Sequence, residues 1–359
     1  MKTIISITSA RPNFVKLAAV HHAFAQSGRS DIRHVIIHTG QHYDPLFSDI
    51  FFSQLGIPMP DENLGIHGGT REEVIAKTAD ALGPVFEKYQ PHTVLVYGDV
   101  NGAVGGAIAA KRADIRLAHV EAGLRSFDLS MPEEHNRREI DSVADILLCS
   151  EQSAVKNLQQ EAKSGTIEFV GNTMIDTLIR MLPLIRTEPL PVQVEGSYVV
   201  ATLHRPSNVD DPVQLQNNLT FLSDIAQFHP VILPLHHRTK AALENFGLMP
   251  DIPPHVLLIE SLGYIPFLRL VRDSAFIITD SGGIQEEAVL LGKKCFTLRK
   301  NTERPATIES GSNVLIDLED DSDWKLVLNY TVTPIAPVIT VPPLWDGKAG
   351  ERIVKLLAA

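Results

Sequence analysis

Short apolar runs rich in β-branched residues alternate along the chain with longer stretches whose apolar positions recur at helical spacing. The short runs have little polar alternation, which is typical of strands buried on both faces of a parallel sheet. Twelve strands are predicted, at 3–8, 34–38, 93–97, 117–120, 146–149, 168–170, 198–203, 231–235, 256–259, 276–279, 295–297 and 314–316. Six fall in each half of the chain, a pattern that predicts an α/β fold of two Rossmann-like doubly wound domains.

Proline-containing segments divide the chain. Residues 186–191 interrupt a helical stretch with two prolines just before the seventh predicted strand. We therefore predict one domain over residues 1–185 and another over 192–340. A further Pro-rich stretch, 334–343, leads to a final helix within 347–359, which is too short to form a domain and is expected to pack on one of the two sheets.

Composition excludes several classes of protein. With 44% hydrophobic and 21% charged residues, the 359-residue chain is expected to be globular. A net charge of −11 without a basic run argues against nucleic acid or an anionic membrane surface as the main partner. The N-terminus lacks the features of a signal peptide, and no run approaches the length of a membrane span, so we expect a cytoplasmic protein. Cys149 and Cys295 follow apolar runs and are expected to be buried, unpaired thiols.

A phosphate-binding turn is predicted at residues 280–283, between a strand and a helix. Gly282 and Gly283 let the backbone approach a ligand, and the N–H groups of the following helix start suit a phosphate. Ser281 adds a hydroxyl, and Glu287, about one turn further on, is placed to accept a hydrogen bond from a ribose. From the residues alone, a plain helix cap with turn glycines explains the segment equally well.

The turn after the first strand differs from a dinucleotide site. Residues 9–16 contain no glycine, so the G-x-G-x-x-G fingerprint is absent and a nicotinamide cofactor is disfavoured. Arg11 and Lys16 instead place positive charge at the carboxyl edge of the sheet, where α/β proteins bind ligands. Solvated surface side chains remain the alternative for both residues.

Three carboxylates follow predicted strands or begin a predicted helix. Asp99, Glu121 and Glu134 are candidates for a general acid or base, or for stabilising positive charge. Asp99 has an alternative role as a helix cap, and Glu134 as an acid in a first helical turn. Glu121, between a strand and Gly123, has the weakest structural alternative.

Histidines end two adjacent predicted strands of the second half. His204 and His236 indicate hydrogen bonds or charge directed at a phosphate or a sugar. The spacing of the histidines and acids matches no metal motif, and no G-x-S-x-G elbow occurs, so neither a zinc site nor a serine hydrolase is predicted. We expect no cofactor.

An ordered set of motifs, from the first strand to about residue 315, resembles the non-hydrolysing UDP-N-acetylglucosamine 2-epimerases. The motifs are Ala10-Arg11-Pro12-Asn13 with Lys16, Thr39-Gly40-Gln41-His42, Gly98-Asp99, His119-Val120-Glu121-Ala122-Gly123-Leu124-Arg125, Pro132-Glu133-Glu134 with Asn136-Arg137, Gly171-Asn172-Thr173, His204-Arg205, Asp280-Ser281-Gly282-Gly283-Ile284-Gln285-Glu286-Glu287 and Thr302-Glu303-Arg304-Pro305.

The resemblance implies the glycosyltransferase-B architecture, with the active site in an interdomain cleft, UDP held mainly by the C-terminal domain and the last helix joined to the N-terminal domain. It also implies reversible conversion of UDP-N-acetylglucosamine to UDP-N-acetylmannosamine, through loss of UDP to form a glycal and its re-addition. A homodimer without metal or cofactor, supplying surface polysaccharide synthesis, is expected.

Residue roles also follow from the resemblance. The acid/base and charge-stabilising set is Asp99, Glu121 and Glu134. His204 is assigned both to catalysis and to binding of the diphosphate. Substrate binding is assigned to Arg11, Lys16, Arg137, His236, Ser281, Gly282, Gly283 and Glu287. Gln41, His42 and Arg71 are candidates for a second, activating nucleotide-sugar site.

The chain departs from the family pattern in three places. Residues 9–13 read Ser-Ala-Arg-Pro-Asn where many members have Gly-Thr-Arg-Pro-Glu, residues 100–106 lack the usual Thr and Ser, and Pro206 replaces an Arg. These changes predict altered contacts to the sugar or diphosphate. The alternatives are a hydrolysing 2-epimerase, a UDP-sugar transferase of the same architecture and a non-catalytic nucleotide-sugar sensor.

Overall fold

The computed structural model describes residues 1–40 and 51–358, so Gln41 and His42 lie outside the described residues. The chain forms two compact units. Unit 1 comprises Met1–Met181 and Pro342–Ala359, and unit 2 comprises Leu182–Val341.

Unit 1 contains a parallel sheet of seven strands in the order β3-β2-β1-β4-β5-β6-β7. The strands are β1 (Lys2–Thr8), β2 (Ile32–His38), β3 (Glu62–Asn63), β4 (Thr93–Tyr97), β5 (Arg116–Val120), β6 (Ile146–Cys149) and β7 (Thr166–Phe169). The helices are α1 (Arg11–Gln26), α2 (Arg71–Tyr89), α3 (Asn101–Arg112), α4 (Pro132–Val143), α5 (Gln152–Gln160) and α6 (Thr173–Thr187), the last of which continues into unit 2. The order of strands reverses between β1 and β4, so a ligand-binding crevice is expected beyond their carboxyl ends.

Unit 2 contains a parallel sheet of six strands in the order β10-β9-β8-β11-β12-β13. The strands are β8 (Val199–Thr202), β9 (Val231–Pro234), β10 (Val256–Ile259), β11 (Ile277–Thr279), β12 (Cys295–Thr297) and β13 (Asn313–Leu315). The helices are α7 (Pro206–Val209), α8 (Pro212–Ala226), α9 (His237–Asn245), α10 (Tyr264–Asp273), α11 (Gly282–Leu291), α12 (Pro305–Glu309) and α13 (Asp321–Val332). Here the order reverses between β8 and β11.

The final helix, α14 (Ala349–Ala358), packs on α1 within unit 1. The approach is close, because a methyl group at Gly350 would lie 2.5 Å from the carbonyl oxygen of Ala19. Ile353, Val354 and Leu357 are buried on this helix.

Burial explains why the apolar runs form strands. Ile5 and Ile7 of β1 and Val94 and Val96 of β4 all belong to one buried cluster of unit 1. All twelve predicted strands are present, and the predicted class of two Rossmann-like α/β units is confirmed. The prediction missed β3, a two-residue edge strand with no apolar residue. Cys149 and Cys295 are buried and free, as predicted. Within residues 1–40 and 51–358, no helix has the length and apolar character needed to span a membrane.

Candidate active site

Asn13 joins the ends of two central strands in unit 1. Its side-chain oxygen accepts hydrogen bonds from the backbone N–H groups of Ser9 (3.2 Å) and Ala10 (3.1 Å), and its amide nitrogen donates to the carbonyl of Tyr97 at 3.0 Å. Because Tyr97 ends β4, these bonds tie the β1–α1 turn to β4 at the reversal of strand order. The departure from the family motif at this position therefore has a structural role in forming the crevice.

Lys16 and Glu121 form a buried ion pair at the same edge of the sheet, each 5% exposed. Burial excludes the alternative in which Lys16 is a solvated surface side chain. Gly98 lies beside the pair with φ of 62°, and a methyl group there would lie 2.9 Å from Lys16 Nζ. Glu121 itself has φ of 73°, a left-handed conformation that costs about 1–3 kcal/mol in a non-glycine residue and is typical of functional sites.

Arg137, whose side chain is fully buried, joins the other two candidate carboxylates. It forms an ion pair with Asp99 and another with Glu134, the latter with 3.3 Å between NH1 and Oε2. Asp99 is not the cap of α3, because the N-cap residue is Val100 and no side chain caps that helix. The Asp99 side chain keeps 22% exposure, whereas that of Glu134 has none.

Glu134 is surrounded by donors. Its Oε2 accepts hydrogen bonds from the backbone N–H of Ser126 (2.9 Å) and the Ser126 hydroxyl (3.1 Å), and its Oε1 accepts one from Arg138 Nε at 2.8 Å. Together with Arg137, these contacts stabilise the ionised carboxylate. The arrangement favours a role for Glu134 in holding Arg137 and Asp99 in place over direct proton transfer.

Asp280 organises the corresponding edge of unit 2. Its Oδ2 accepts hydrogen bonds from the backbone N–H groups of His204 and Arg205, both at 2.8 Å, and from Asn208 Nδ2 at 3.1 Å. His204 Nδ1 lies 2.9 Å from the other carboxylate oxygen. Burial alone would raise the pKa of Asp280, but His204 and the backbone donors lower it to about 2. The ionised carboxylate therefore fixes the orientation of the His204 ring, a role that the sequence did not reveal.

The start of α11 faces buried arginines. Ser281 occupies the N-cap position but makes no side-chain cap hydrogen bond, so the plain helix-cap alternative is not supported. Gly282 lies against Arg304, because a methyl group there would lie 2.4 Å from the NH1 atom of that arginine. Gly283 follows in the first turn, whose N–H groups have no acceptor within an α-helix.

Two arginines that sequence reasoning did not assign lie in this cluster. Arg299 NH1 is 2.9 Å from Glu303 Oε2, and Arg304 is 3.2 Å from Glu286 and 3.4 Å from Glu303. Burial lowers the pKa of Arg299, and Arg205 and Arg304 lower it further against the opposing effect of Glu303. An anion at the start of α11 would offset this repulsion between cations. The sequence pattern did not place these arginines at the start of α11, because only the fold brings them there.

Glu287 is buried on α11. Burial raises its pKa to about 8, with neighbouring Glu286 adding to the rise and a hydrogen bond with Tyr264 opposing it. The side chain is therefore protonated at neutral pH, so it can donate one hydrogen bond and accept another. A ribose hydroxyl can satisfy both.

The remaining candidates lie at the carboxyl edges of their own units. In unit 2 the ring centroids of His204 and His236 are 5.2 Å apart, and His236 Nδ1 accepts a hydrogen bond from the Arg238 N–H at 3.3 Å. In unit 1, Arg11 begins α1 with its guanidinium 5.6 Å from the Phe51 ring centroid. Arg71 donates to Asn136 at 2.8 Å. Within the described parts of the chain, no group of three or more His, Cys, Asp or Glu residues is arranged to hold a metal ion.

Fold and site together define a two-unit α/β protein with clustered carboxylates in unit 1 and buried arginines beside a glycine-containing helix start in unit 2. A family model described as UDP-N-acetylglucosamine 2-epimerase matches residues 25–358. The chain belongs to this family of isomerases.

Relatives of the chain act on more than one sugar nucleotide. The chain is 40% identical over 361 residues, 99% of each protein, to the UDP-2,3-diacetamido-2,3-dideoxy-D-glucuronate 2-epimerase of Pseudomonas aeruginosa. It is 37% identical over 362 residues, covering 98% of this chain and 97% of the relative, to the UDP-N-acetylglucosamine 2-epimerase of Methanocaldococcus jannaschii.

Solved structures agree with this assignment. A crystal structure of the Methanocaldococcus jannaschii UDP-GlcNAc 2-epimerase in complex with UDP-GlcNAc and UDP has a TM-score of 0.90 and 35% identity, covering 100% of this chain and 99% of that one. Sucrose-phosphate synthase from Thermosynechococcus elongatus, at 12% identity and a TM-score of 0.61, covers 99% of this chain and 95% of that one. The second likeness shows a shared fold alone.

Proposed function

We propose that the chain reversibly epimerises carbon 2 of UDP-N-acetylglucosamine, giving UDP-N-acetylmannosamine without net hydrolysis. The observation that carries the proposal is the position of Asp99 and Glu121. They follow the adjacent strands β4 and β5 at the crevice of unit 1, in a chain that belongs to the 2-epimerase family.

The proposed reaction proceeds through a glycal. The proton at carbon 2 leaves, its electron pair forms the double bond between carbons 1 and 2, and UDP departs with the electrons of the carbon 1–oxygen bond. UDP then adds back to carbon 1 while carbon 2 is protonated on its other face. Proton chemistry on two faces requires more than one acid/base group, which supports assigning both Asp99 and Glu121 to it.

Charge develops at both ends of the breaking bond. Glu121, held by Lys16, and Asp99, held by Arg137, which also pairs with Glu134, are proposed to stabilise positive charge on the sugar ring. Negative charge on the diphosphate is proposed to be stabilised by the start of α11 and the buried arginines beside it. Arg11, His204 and His236 are proposed to contact the diphosphate and sugar, and Glu287 the ribose.

A second substrate has specific support. The relative at 40% identity is named for a UDP-2,3-diacetamido-2,3-dideoxy-D-glucuronate, and the chain departs from the common motif at residues 9–13 and 100–106. Comparing kcat/KM for this uronate and for UDP-N-acetylglucosamine decides between the two substrates.

The decisive experiment is incubation with UDP-N-acetylglucosamine in heavy water, followed by NMR. We expect deuterium at carbon 2 of both epimers, with no acceptor added and no free sugar. Free N-acetylmannosamine appearing in step with UDP would instead identify a hydrolysing enzyme. Tight binding of the nucleotide sugar without exchange at carbon 2 would identify a sensor, and turnover only with an added acceptor would identify a transferase.

We further propose that the protein acts in the cytoplasm as a homodimer and supplies surface polysaccharide synthesis. Unpaired, buried Cys149 and Cys295 support a reducing compartment. Sedimentation at micromolar concentration tests the dimer.

A further inference from the structure

His119 lies on β5 beneath the candidate carboxylates, and both of its ring nitrogens face acceptors. The residue is fully buried, with Nδ1 2.6 Å from Asp141 Oδ1 and Nε2 2.8 Å from the carbonyl oxygen of Gly98. An N–H on either ring nitrogen donates to the oxygen that it faces. Because Gly98 immediately precedes Asp99, His119 holds the turn that presents Asp99.

Asp141, on α4, extends this connection to a second turn. Its Oδ2 accepts a hydrogen bond from the backbone N–H of Gly123 at 3.1 Å and lies 2.7 Å from Arg125 NH1. Burial alone would raise the pKa of Asp141, but His119 and Arg125 lower it. One ionised carboxylate therefore links the turn after β4 with the turn after β5, which presents Glu121.

The two turns have unusual backbone conformations. Gly98, Glu121 and Gly123 have φ angles of 62°, 73° and 82°. A methyl group at Gly123 would lie 2.5 Å from the carbonyl oxygen of Ala154, so no other residue fits there. The left-handed conformation of Glu121 persists only if surrounding contacts hold it. The hydrogen bonds that the N–H groups of Glu121 and Ala122 donate to the Leu148 carbonyl, and that of Gly123 to Asp141, are such contacts.

We propose that His119 is a positioning residue: its hydrogen bond to the carbonyl of Gly98 holds the turn that presents Asp99 against β5 and so fixes the separation of Asp99 and Glu121, while Asp141 anchors the second turn through Gly123. The inference rests on the proposed function, in which the two carboxylates act on the same sugar carbon. A displacement of about 1 Å in such a constellation lowers turnover by about 100-fold.

Two substitutions separate the two hydrogen bonds of His119. The amide nitrogen of asparagine matches Nδ1, so His119→Asn keeps the bond to Asp141 and loses the bond to Gly98. The amide nitrogen of glutamine reaches the position of Nε2, so His119→Gln keeps the bond to Gly98. Each variant leaves one buried group without its partner, and both are therefore expected to melt at a lower temperature than the wild type.

Their turnover is expected to differ. We expect kcat for His119→Asn to fall about 100-fold, with the Kd for UDP unchanged, while kcat for His119→Gln stays within about five-fold of the wild type. Equal losses of kcat in the two variants, or normal turnover in His119→Asn, would overturn the positioning role. If His119→Asn does not fold, His119→Met replaces it, because methionine fills the ring volume without donating to the Gly98 carbonyl. A 100-fold lower kcat in His119→Met than in His119→Gln supports the positioning role, and equal kcat in the two contradicts it.

His34→Asn is the matched control. His34 also bonds through its side chain inside the unit 1 sheet, with Nε2 2.8 Å from the Ser6 hydroxyl, but it lies away from the carboxyl edge. We expect a lower melting temperature and unchanged kcat. Wild-type protein that exchanges no deuterium at carbon 2 of any UDP-sugar would defeat the proposed function, an outcome distinct from any difference between the variants.

Discussion

At the scale of single residues, the candidate site is a set of buried charges held by named partners. Glu121 pairs with Lys16, Asp99 pairs with Arg137, and Asp280 holds His204. Each pair removes charge from water, which costs free energy that only good geometry offsets. Their presence at the carboxyl edges of two sheets supports a functional role, because a core of apolar residues would provide equal or greater stability.

Removal of the Glu121 charge tests the chemistry directly. We expect Glu121→Gln to lower the rate of deuterium exchange at carbon 2 by about 100-fold or more, since a proton-transfer group contributes about 10²–10⁴ in rate. The Kd for UDP, measured by calorimetry, is expected to stay unchanged because Glu121 is not among the residues proposed to hold the diphosphate.

The single variant also leaves Lys16 buried without its counter-charge, which destabilises the fold. The double variant Lys16→Met/Glu121→Gln removes both charges and is the matched control. We expect it to recover the melting temperature but not the turnover. A near-normal exchange rate in either protein would show that Glu121 is not an acid/base group.

At the scale of elements, the start of α11 depends on how close the buried arginines approach. A methyl group at Gly282 would meet the NH1 atom of Arg304 at 2.4 Å. The flexible end of the arginine can move, so we expect Gly282→Ala to fold but to displace the guanidinium. The Kd for UDP is expected to rise at least ten-fold by calorimetry, since a charge-assisted hydrogen bond contributes about 1.5–3 kcal/mol.

Gly83→Ala in α2 is the comparison for Gly282→Ala. Apart from the neighbouring residues and the helix backbone, no atom lies within 4 Å of the added methyl group, so we expect this variant to fold and to leave the Kd for UDP unchanged. Its stability is not expected to rise, because Pro84 follows and disfavours a helical conformation of the residue before it. Equal UDP affinity in Gly282→Ala and the wild type would exclude Arg304 from the diphosphate site.

Sequence patterns located the elements better than the partners of individual side chains. Buried strands such as β4 and β11 are continuous apolar runs, and Asp99 and Glu121 follow strand ends, so these features were predictable. The two polar residues of β3 carry no such signal. Arg299, Asn13 and the His119–Asp141 bond became visible only in three dimensions, because their contacts join segments that are far apart in sequence or depend on side-chain direction.

At the scale of the whole molecule, Asp176 connects the two separated segments of unit 1. Its Oδ2 accepts a hydrogen bond from the N–H of Gly350, at the start of α14, at 2.7 Å. Burial raises the pKa of Asp176 to about 6, while the N–H groups of Gly350 and Ala349 oppose the rise. The folded protein therefore binds this proton more tightly than the unfolded chain, and the associated stability is lost as the pH rises from about 4 through 6.

At pH 4 we expect Asp176→Asn and the wild type to melt at the same temperature. At pH 8 the variant is expected to melt at a higher temperature, because its free energy of unfolding is larger by about 2–3 kcal/mol. The amide stays neutral and keeps an acceptor for Gly350. Thermal unfolding followed across this pH range is the measurement.

Asp346→Asn provides a control of opposite sign. Arg352 lowers the pKa of Asp346 through a hydrogen-bonded ion pair, so this variant should lose stability at pH 8 and change little at low pH. If Asp176→Asn also lost stability at pH 8, the buried carboxylate would be stabilising, contrary to expectation.

The division of unit 1 into Met1–Met181 and Pro342–Ala359 has a consequence for synthesis on the ribosome. All residues of unit 2 are synthesised before α14, which covers α1. Unit 1 therefore cannot complete its packing until a segment made after unit 2 reaches α1. Until the last segment arrives, the apolar face of α1 that α14 covers remains open. A chaperone that recognises exposed apolar surface would bind the nascent chain there, and the docking of α14 would displace it.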